Sequence, residues 1–317
     1  MDLRGRSLLT LNDYTRSEIE YLIALAGRLK DERHSGARHR RLEGYTLAMI
    51  FEKRSTRTRS AFETAFGEEG GYPTFLSGQD IHLGAKEDLA DTSRVLGRMF
   101  DCIEFRGYEQ ATVEALATWS GVPVYNGLTD LYHPTQALAD LMTLAESVGS
   151  LAGSRMSYVG DGRNNVARSL LIACARLGVS CSIGTPDELA PPIELIQKVT
   201  AEARQTGAEI SVTADPREAV AGAHAVYTDV WASMGEEAKR DERRALLSPY
   251  QVNEDLMAAT GRETSIFLHC LPAIKGEEVT EGVFESKWSR VFDQAENRKH
   301  TIKAMILATL GIEQAAS

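Results

Sequence analysis

The sequence predicts an α/β protein of two domains, each with a parallel β-sheet flanked by helices, with the active site in the interdomain cleft. The chain has 317 residues, which suits two domains of about 150 residues each. Short apolar runs alternate with amphipathic helical stretches, and this alternation is typical of parallel sheets joined by helices. The alternation pauses over residues 149–154, a small and flexible segment where we expect the domain boundary.

In the first half, the apolar run over residues 47–51 predicts a buried strand. Residues 60–69 follow a helical pattern that the glycines at 70 and 71 would end. A further strand is expected to end over residues 122–126. The next helix starts near Pro134, because proline suits the first helical position. Apolar residues recur along it at helical spacing, at Ala137, Leu138, Leu141, Met142 and Ala145.

In the second half, a strand over residues 156–160 leads through a glycine-bearing loop into a helix over residues 165–177, which Gly178 would end. The C-terminal stretch over residues 297–310 predicts a final helix. Short apolar runs predict four more strands, over residues 181–184, 209–212, 225–228 and 266–269.

The composition excludes several other classes of protein. Hydrophobic residues make up 43% and charged residues 25% of the chain, which is typical of a folded globular protein and not of a disordered one. No window approaches the roughly 18 uninterrupted apolar residues that a membrane span needs. Charged residues interrupt the N-terminal segment before any apolar stretch, unlike a secretory signal. We therefore expect a cytoplasmic protein without a membrane partner.

The charged and sulfur-containing residues narrow the function further. A net charge of -10 argues against general nucleic-acid binding, which needs a broad basic surface. It does not exclude a small anion, because cations can be concentrated in one cleft. The four cysteines form no CxxC pair and have no nearby histidine at zinc-finger spacing, so we expect reduced thiols.

The densest chemical signal is Glu52–Arg59, EKRSTRTR, which follows a predicted strand and opens a helix. Four cations lie within seven residues, where a helix presents unpaired N–H groups and the positive end of its dipole. Ser55, Thr56 and Thr58 add hydroxyl groups, and the guanidinium of Arg57 matches phosphate oxygens. The segment therefore indicates a phosphate site. The alternative is a solvated basic helix start with a serine or threonine cap.

Two more signals lie in the first half. His133 and Gln136 open another helix around Pro134, a pattern that we interpret equally as ligand contacts or as a helix start. Arg106 ends an apolar run, and by itself it predicts a surface charge.

The second half places polar residues after three predicted strands. The loop over residues 160–165 resembles a dinucleotide loop only loosely, since its third glycine is missing, but it can point an asparagine amide into a cleft. Asp229 follows a strand at the end where α/β proteins bind ligands, although helix capping is the common alternative. Met234 is on its own a core residue, and Cys270 on its own a buried, inert thiol.

Together these motifs resemble the carbamoyltransferase family over nearly the whole chain. The S-T-R-T-R segment over residues 55–59 and H-P-x-Q over residues 133–136 are shared by the aspartate and ornithine branches. D-x-x-x-S-M-G over residues 229–235 and H-C-L-P over residues 269–272 are similar to the ornithine branch. Glu-Asn-Arg over residues 296–298 also fits the family.

This resemblance implies transfer of a carbamoyl group from carbamoyl phosphate to the δ-amine of L-ornithine, with no metal and no organic cofactor. It implies a carbamoyl-phosphate-binding domain over residues 1–149, onto which the C-terminal helix over residues 298–317 packs, and an ornithine-binding domain over residues 150–297. Citrulline and phosphate would be the products.

The resemblance also assigns residues to the site. Catalytic roles are implied for Arg106, His133, Asp229, Cys270 and Arg298. Carbamoyl phosphate would contact Ser55, Thr56, Arg57, Thr58, His82, Arg106, His133, Gln136, Cys270, Leu271 and Arg298. Ornithine would contact Asn165, Asp229, Ser233 and Met234.

His82 stands where many relatives carry glutamine and others carry histidine. In the family this loop reaches into a neighbouring subunit's site. The resemblance therefore implies a homotrimer, or an assembly of trimers, with shared active sites.

Other functions are weaker alternatives. A carbamoyltransferase acting on putrescine or an N-acylated ornithine is the nearest one, although Ser233-Met234-Gly235 serves an α-amino acid end that putrescine lacks. Aspartate as acceptor would be repelled by Asp229. A Rossmann-like nucleotide-binding protein lacks support, because the third glycine and an acidic residue after the next strand are missing. A non-catalytic binding protein is opposed by the presence of every expected polar site residue.

Overall fold

The computed structural model describes residues 1–78, 81, 87–232 and 239–312. The chain forms two units, one comprising Met1–Ala139 with the segment from Glu296 onward and the other Asp140–Ala295. Each unit contains one parallel β-sheet with helices in its crossovers, so the predicted fold class is confirmed. The functional domain limits given above stay predictions. Among the described residues, no helix combines the length and the apolar character needed to cross a membrane.

Unit 1, which comprises residues 1–139 and the segment from 296, has a four-stranded sheet in the order β2-β1-β3-β4. Its elements up to residue 139 are α1 Arg16–His34, β1 Thr46–Phe51, α2 Thr56–Gly67, β2 Tyr72–Ser77, α3 Leu89–Met99, β3 Cys102–Arg106, α4 Gln110–Ser120, β4 Val124–Leu128 and the first turns of α5 Pro134–Val148.

The central strands of unit 1 are buried on both faces, as is usual when helices cover a parallel sheet. Every residue of β3 is buried, and so is β1 from its second residue onward. Apolar residues of β1, β3, β4 and α4 form one core cluster, which includes Ala48, Ile50, Ile103, Phe105, Val113, Leu116 and Val124. The edge strand β2 is largely exposed. For that reason its sequence shows no apolar alternation, and we did not predict it.

Unit 2, which comprises residues 140–295, has a five-stranded sheet in the order β7-β6-β5-β8-β9. Short 3-10 turns lie at Asp187–Leu189 and Ser248–Tyr250, and unit 1 has one at Leu11–Asp13. The remaining elements are β5 Arg155–Val159, α6 Asn165–Leu177, β6 Ser180–Gly184, α7 Ile193–Thr206, β7 Ile210–Thr213, α8 Pro216–Val220, β8 Ala225–Thr228, α9 Arg240–Leu247, α10 Glu254–Ala258, β9 Ile266–His269, α11 Glu281–Phe284 and α12 Val291–Leu310.

Several predicted boundaries agree closely with the structure. The bounds of α6 are those predicted, because the Asn164 side chain accepts a hydrogen bond from the Ala167 N–H at 2.8 Å and caps the helix. Gly178 ends this helix at a φ of 73°, a conformation that glycine adopts without steric cost. The helix α5 begins at Pro134, also as predicted.

The predicted start of α2 at residue 60 is wrong, since the helix begins at Thr56 and ends at Gly67. Ser55 caps it by accepting a hydrogen bond from the Thr58 N–H at 3.1 Å. The first helical turn carries only polar residues, so apolar periodicity gives no sign of it. The C-terminal helix α12 likewise starts at Val291, six residues before its predicted start at residue 297.

In both sheets the strand order reverses direction at one point, between β1 and β3 in unit 1 and between β5 and β8 in unit 2. Loops leave the carboxyl ends of such neighbouring strands in opposite directions, and the crevice between them is where open α/β sheets bind ligands. The predicted site segments lie at these two points, after Phe51 and at Arg106 in unit 1, and after Val159 and Thr228 in unit 2.

Candidate active site

The phosphate segment of unit 1 turns directly from β1 into the first turn of α2. Ser55 is the cap of this helix, so the capping alternative considered from the sequence holds for that residue. Thr56 is exposed, Arg57 is half-buried and Thr58 is fully buried. The helix therefore presents its free N–H groups and a half-buried guanidinium at the same place, which is the arrangement that favours an anion.

Thr58 is a hub on which two arginines converge. Its Oγ1 accepts a hydrogen bond from Arg106 Nη1 at 3.2 Å and another from Arg298 Nη2 at 2.9 Å. Arg106 is only 6% exposed and Arg298 only 2% exposed. The interpretation of Arg106 as a surface charge is therefore wrong. Two buried guanidinium groups on one hydroxyl repel each other, so an anion bound beside them is stabilised by both charges.

His133, at the start of α5, lies within the electrostatic reach of the same arginines. Burial holds the pKa of His133 well below its usual range, and the positive charges of Arg298, Arg106 and Arg57 lower that pKa further. His133 and Gln136 are both buried. The site therefore combines fixed positive charges with a neutral imidazole and an amide, which suit hydrogen bonding to an uncharged carbonyl or amino group.

Lys53 has a different role from the other cations of the segment. Its Nζ donates to Asp130 Oδ1 at 2.6 Å and lies 4.0 Å from the ring centroid of Tyr108. These contacts join the end of β1 to the loops that follow β3 and β4. Arg54 and Arg59 are exposed. Among the four cations, Arg57 is the one whose charge acts on His133.

In unit 2, Asp229 follows β8 and connects three elements. Its Oδ1 accepts a hydrogen bond from Cys270 Sγ at 3.0 Å, and its Oδ2 accepts one from Asn164 Nδ2 at 3.2 Å. Asn164 also donates to the Tyr158 hydroxyl at 2.7 Å. Cys270 is partly exposed, so its interpretation as a buried, inert thiol is wrong. The result is a carboxylate that faces a thiol and is held in place by an amide.

The loop between β5 and α6 contains two adjacent asparagines, Asn164 and Asn165. We predicted Asn165 as the ligand contact, and it is the half-buried first residue of α6. Asn164 is the residue that positions Asp229, and the sequence interpretation missed it. An asparagine one residue before a predicted helix is typical of a helix cap, and the sequence could have indicated that role for Asn164. Its hydrogen bond to Asp229 leaves no sign in the sequence.

The segment after β9 is held by a buried hydrogen-bond chain that we did not predict. His269 and Glu278 are fully buried, with His269 Nε2 3.1 Å from Glu278 Oε1. His269 Nδ1 accepts the Leu271 N–H at 2.8 Å, so the ring proton is assigned to Nε2. Leu271 has a φ of 60°, a strained value for a branched side chain. The chain therefore fixes the turn that presents Cys270 and Leu271.

Comparison with known sequences decides the family. The carbamoyl-P binding domain of aspartate/ornithine carbamoyltransferase matches residues 6–146, and the Asp/Orn binding domain of the same family matches residues 152–309. This chain belongs to the aspartate/ornithine carbamoyltransferase family. The resemblance found in its motifs is confirmed.

Individual members of the aspartate/ornithine carbamoyltransferase family are similar to this chain over its whole length. The ornithine carbamoyltransferase of Caldanaerobacter subterraneus subsp. tengcongensis is 62% identical over 309 residues, which cover 98% of this chain and 99% of that protein. The Thermotoga maritima ornithine carbamoyltransferase is 60% identical over 310 residues, with the same coverage. The structure of the ornithine carbamoyltransferase from Pyrococcus furiosus matches with a TM-score of 0.95 and 47% identity, covering 98% of this chain and 99% of that one.

Three residues that the carbamoyltransferase resemblance assigns to the site, His82, Ser233 and Met234, lie outside the described residues. Their roles stay predictions. Helix α9, which follows residue 238, is attached to unit 2 by an ion pair. The Nη1 atom of the buried Arg243 lies 3.0 Å from Asp161 Oδ2. Asp161 belongs to the loop between β5 and α6, so this ion pair ties α9 to the loop that carries the two asparagines.

Within the part of the chain that the structure describes, two groups of side chains have donor atoms close enough to suggest a metal, with all donors of a group within 4.8 Å of one another. In the group of Asp229, His269 and Cys270, both ring nitrogens of the histidine are already engaged. In the second group, His34 Nε2 and His300 Nε2 lie 2.9 and 3.2 Å from Glu296 Oε1.

Metal coordination through His300 Nε2 would leave the ring proton on Nδ1, which is buried and has no hydrogen-bond partner among the described residues. A metal-bound imidazole normally donates that proton to an acceptor. Both groups are therefore better suited to hydrogen bonding than to holding an ion.

Proposed function

We propose that this chain transfers the carbamoyl group of carbamoyl phosphate to the δ-amine of L-ornithine, giving L-citrulline and phosphate. The observation that carries the proposal is that this family member has both a cluster of buried arginines and a carboxylate beside a thiol. Arg106 and Arg298 converge on Thr58 in unit 1, and Asp229 accepts from Cys270 in unit 2. The first arrangement suits a dianion and the second an amine.

In the proposed reaction, unit 1 binds carbamoyl phosphate. Ser55, Thr56, Arg57 and Thr58 hold the phosphate through hydroxyl groups, helix N–H groups and a guanidinium. Arg106 and Arg298 stabilise the negative charge that grows on the phosphate as the C–O bond to the carbamoyl carbon breaks. Arg106, His133 and Gln136 hydrogen-bond the carbamoyl group, and Arg298 polarises its oxygen.

The proposed role of unit 2 is to present ornithine as a nucleophile. Its δ-ammonium must lose a proton before the nitrogen lone pair can attack the carbamoyl carbon. Asp229 attracts the cation and accepts a proton, and Cys270 orients that carboxylate by donating to it. Leu271 and Cys270 contact the carbamoyl group, while Asn165, Ser233 and Met234 bind the α-amino acid end. Because both substrates must meet, the rate depends chiefly on positioning.

We assign the carbamoyl-phosphate role to residues 1–149 with the helix over residues 298–317, and the ornithine role to residues 150–297. We also propose that the enzyme acts in the cytoplasm, where its four free cysteines stay reduced. The proposed reaction needs neither a metal nor an organic cofactor.

We further propose a homotrimer, or an assembly of trimers, in which His82 of one copy completes the site of the next. Unit 1 exposes large apolar side chains on three of its elements, which supports burial against another copy. They include Tyr72 on β2 (66% exposed), Met99 on α3 (67%) and Trp119 on α4 (46%).

Mixing two inactive variants tests the shared site. His82→Ala and Arg57→Ala proteins, dissociated and reassembled together, should regain activity, because some sites then combine two intact contributions. Analytical ultracentrifugation gives the oligomeric state in parallel. Mixed oligomers that stay inactive would argue against sharing.

An acceptor panel tests the reaction itself. Citrulline formation is measured with carbamoyl phosphate and L-ornithine, and the corresponding products with putrescine, N-acetylornithine, lysine and aspartate. We expect ornithine to give the highest kcat/KM by a wide margin. A preference for any other amine would overturn the acceptor assignment, and no transfer to any amine would overturn the enzymatic function.

A further inference from the structure

Glu104 is a buried carboxyl group in unit 1 that the proposed reaction does not use. It lies on β3 two residues before Arg106, and the positive charge of Arg106 acts on it. Glu104 is fully buried, and neither carboxyl oxygen has a hydrogen-bond partner among the described residues. A buried carboxyl group without partners is costly, and each such group in a folded protein calls for an explanation.

Glu104 lies beside the arginine hub. A Cβ atom added to Gly127 on β4 would collide with Glu104 Oε1 and would lie 3.0 Å from the Cγ2 of Thr58. Thr58 is the residue on which Arg106 and Arg298 converge. The glycine therefore leaves room for the carboxyl group next to the residues that are proposed to hold the phosphate.

Two opposing effects act on the proton of Glu104. Burial raises its pKa well above the usual range, and this effect exceeds the lowering of the pKa by the positive charges of Arg106 and Arg298. A bound anion would neutralise those two charges and add its own repulsion, so it would favour the protonated form further.

The other ionisable groups around Glu104 keep their charge state over the same pH range. Arginine side chains stay protonated. The pKa of His133 is held well below its usual range, and burial raises the pKa of Tyr125, the neighbour of Glu104 in β4, well above its usual range. Burial also raises the pKa of the Cys102 thiol on the same strand. Any pH-dependent change in charge beside Arg106 and Arg298 is therefore assigned to Glu104, whose pKa burial raises.

We propose that Glu104 sets the affinity for carbamoyl phosphate through its own proton, acting by way of Arg106 and Arg298. The phosphate binds to the form in which Glu104 is protonated and neutral. When the free protein carries the ionised carboxylate, binding takes up one proton from the solvent. This inference rests on the proposed phosphate site. Glu104 does not touch the reacting atoms, so it is a positioning residue, and its effect belongs in the KM for carbamoyl phosphate more than in kcat.

The test uses inorganic phosphate as the probe and the full chain as the protein. Its dissociation constant is measured by calorimetry between pH 6 and 9.5 for the wild type, Glu104→Gln and Glu104→Met. The ratio of the wild-type constant to that of each variant cancels the ionisation of phosphate itself. We expect a ratio near one at pH 6 that rises to about tenfold at pH 9.5, the size of effect a unit charge several ångströms away produces.

Glu43→Gln is the matched control, since Glu43 is an exposed carboxylate in the same unit that pairs with Arg40. Its ratio should stay near one at every pH. A ratio for both Glu104 variants that does not change with pH would overturn the proposal.

An infrared difference measurement tests the wild type without relying on the folding of a variant. Adding phosphate at alkaline pH should increase the C=O stretch of a protonated carboxyl group, and Glu104→Gln should lack that band. If the wild type shows no such band, the proposal is wrong.

The phosphate site itself is tested separately by Arg57→Ala. If that variant binds phosphate like the wild type at all pH values, the proposed site fails, whereas a pH-independent ratio for the Glu104 variants refutes only the role of this carboxyl group.

Discussion

Unit 1 surrounds its candidate site with guanidinium groups, a hydroxyl and a neutral histidine, whereas unit 2 uses a carboxylate, a thiol and an amide. Arg106 and Arg298 keep one charge at every accessible pH, which suits an anion that is negative before, during and after the reaction. In unit 2 the Cys270 thiol donates to the Asp229 carboxylate, a pairing of acidic groups that suits a cationic amine. The residues of each candidate site thus match the protonation behaviour of the substrate proposed for that unit.

The largest effect that tests this comparison is expected from Asp229→Asn. The amide keeps the shape of the side chain but cannot attract or deprotonate an ammonium group, so kcat/KM for ornithine should fall by about 10³-fold. Phosphate should still raise the melting temperature as it does in the wild type, because unit 1 is intact.

Asp241→Asn, on the exposed start of α9, should behave like the wild type in both measurements. If Asp229→Asn also loses phosphate binding, the separation of roles between the units is wrong.

Glu278→Ala should have the second largest effect, this time on stability. The variant leaves the buried His269 Nε2–H and the Ile274 N–H without their acceptor, at a cost of about 3 kcal/mol. Urea unfolding followed by circular dichroism measures the loss. Glu285→Ala, which removes an exposed carboxylate bound to Lys275, should cost less than about 1 kcal/mol. Equal losses for the two variants would contradict the importance of the buried chain.

Arg57→Ala tests the phosphate site proposed in unit 1. Removing this half-buried guanidinium should weaken phosphate binding by about 100-fold while the fold is kept, because the side chain lies at the start of a helix and not in the core. Thermal shifts with and without carbamoyl phosphate give the comparison with Arg54→Ala, an exposed neighbour. An undiminished thermal shift in Arg57→Ala would remove this residue from the site.

The smallest effect concerns the neutral histidines of unit 1. Burial lowers the pKa of His300 to about 4, whereas an unfolded chain takes up the same proton near pH 6.5. The unfolded state therefore binds more protons between these values, and stability falls as the pH drops from about 6.5 towards 4. His300→Gln should remove about 1 kcal/mol of that loss between pH 6.5 and 5. Unfolding free energies that fall equally in both proteins would exclude His300 as a cause.

The sequence predicted those features that depend on neighbouring residues. The bounds of α6 agree because a cap and a glycine mark its two ends within the sequence itself. Both sheets were expected as parallel because apolar runs and helices alternate. Apolar periodicity placed the start of α2 too late, since its first turn has only polar residues, whereas the serine at its cap marks the true start.

Contacts between distant residues were not predictable in the same way. The burial of Arg106 depends on Thr58, 48 residues earlier, and on Arg298, which bonds the same hydroxyl from a position 240 residues after it. Glu104 and Glu278 are ionisable residues inside a strand and a turn, and their types alone predict exposure. Their roles become visible only when the fold supplies their neighbours.

The position of Arg298 has a consequence for biosynthesis. Unit 1 begins at the N-terminus, but α12 supplies one of its two hub arginines after the whole of unit 2 has been translated. A nascent chain therefore lacks Arg298 at the candidate anion site until unit 2 and the first turns of α12 have been translated, so a bound anion gains this contact only then. Separate expression of this half would require residues 1–139 to be spliced genetically to the segment from residue 296.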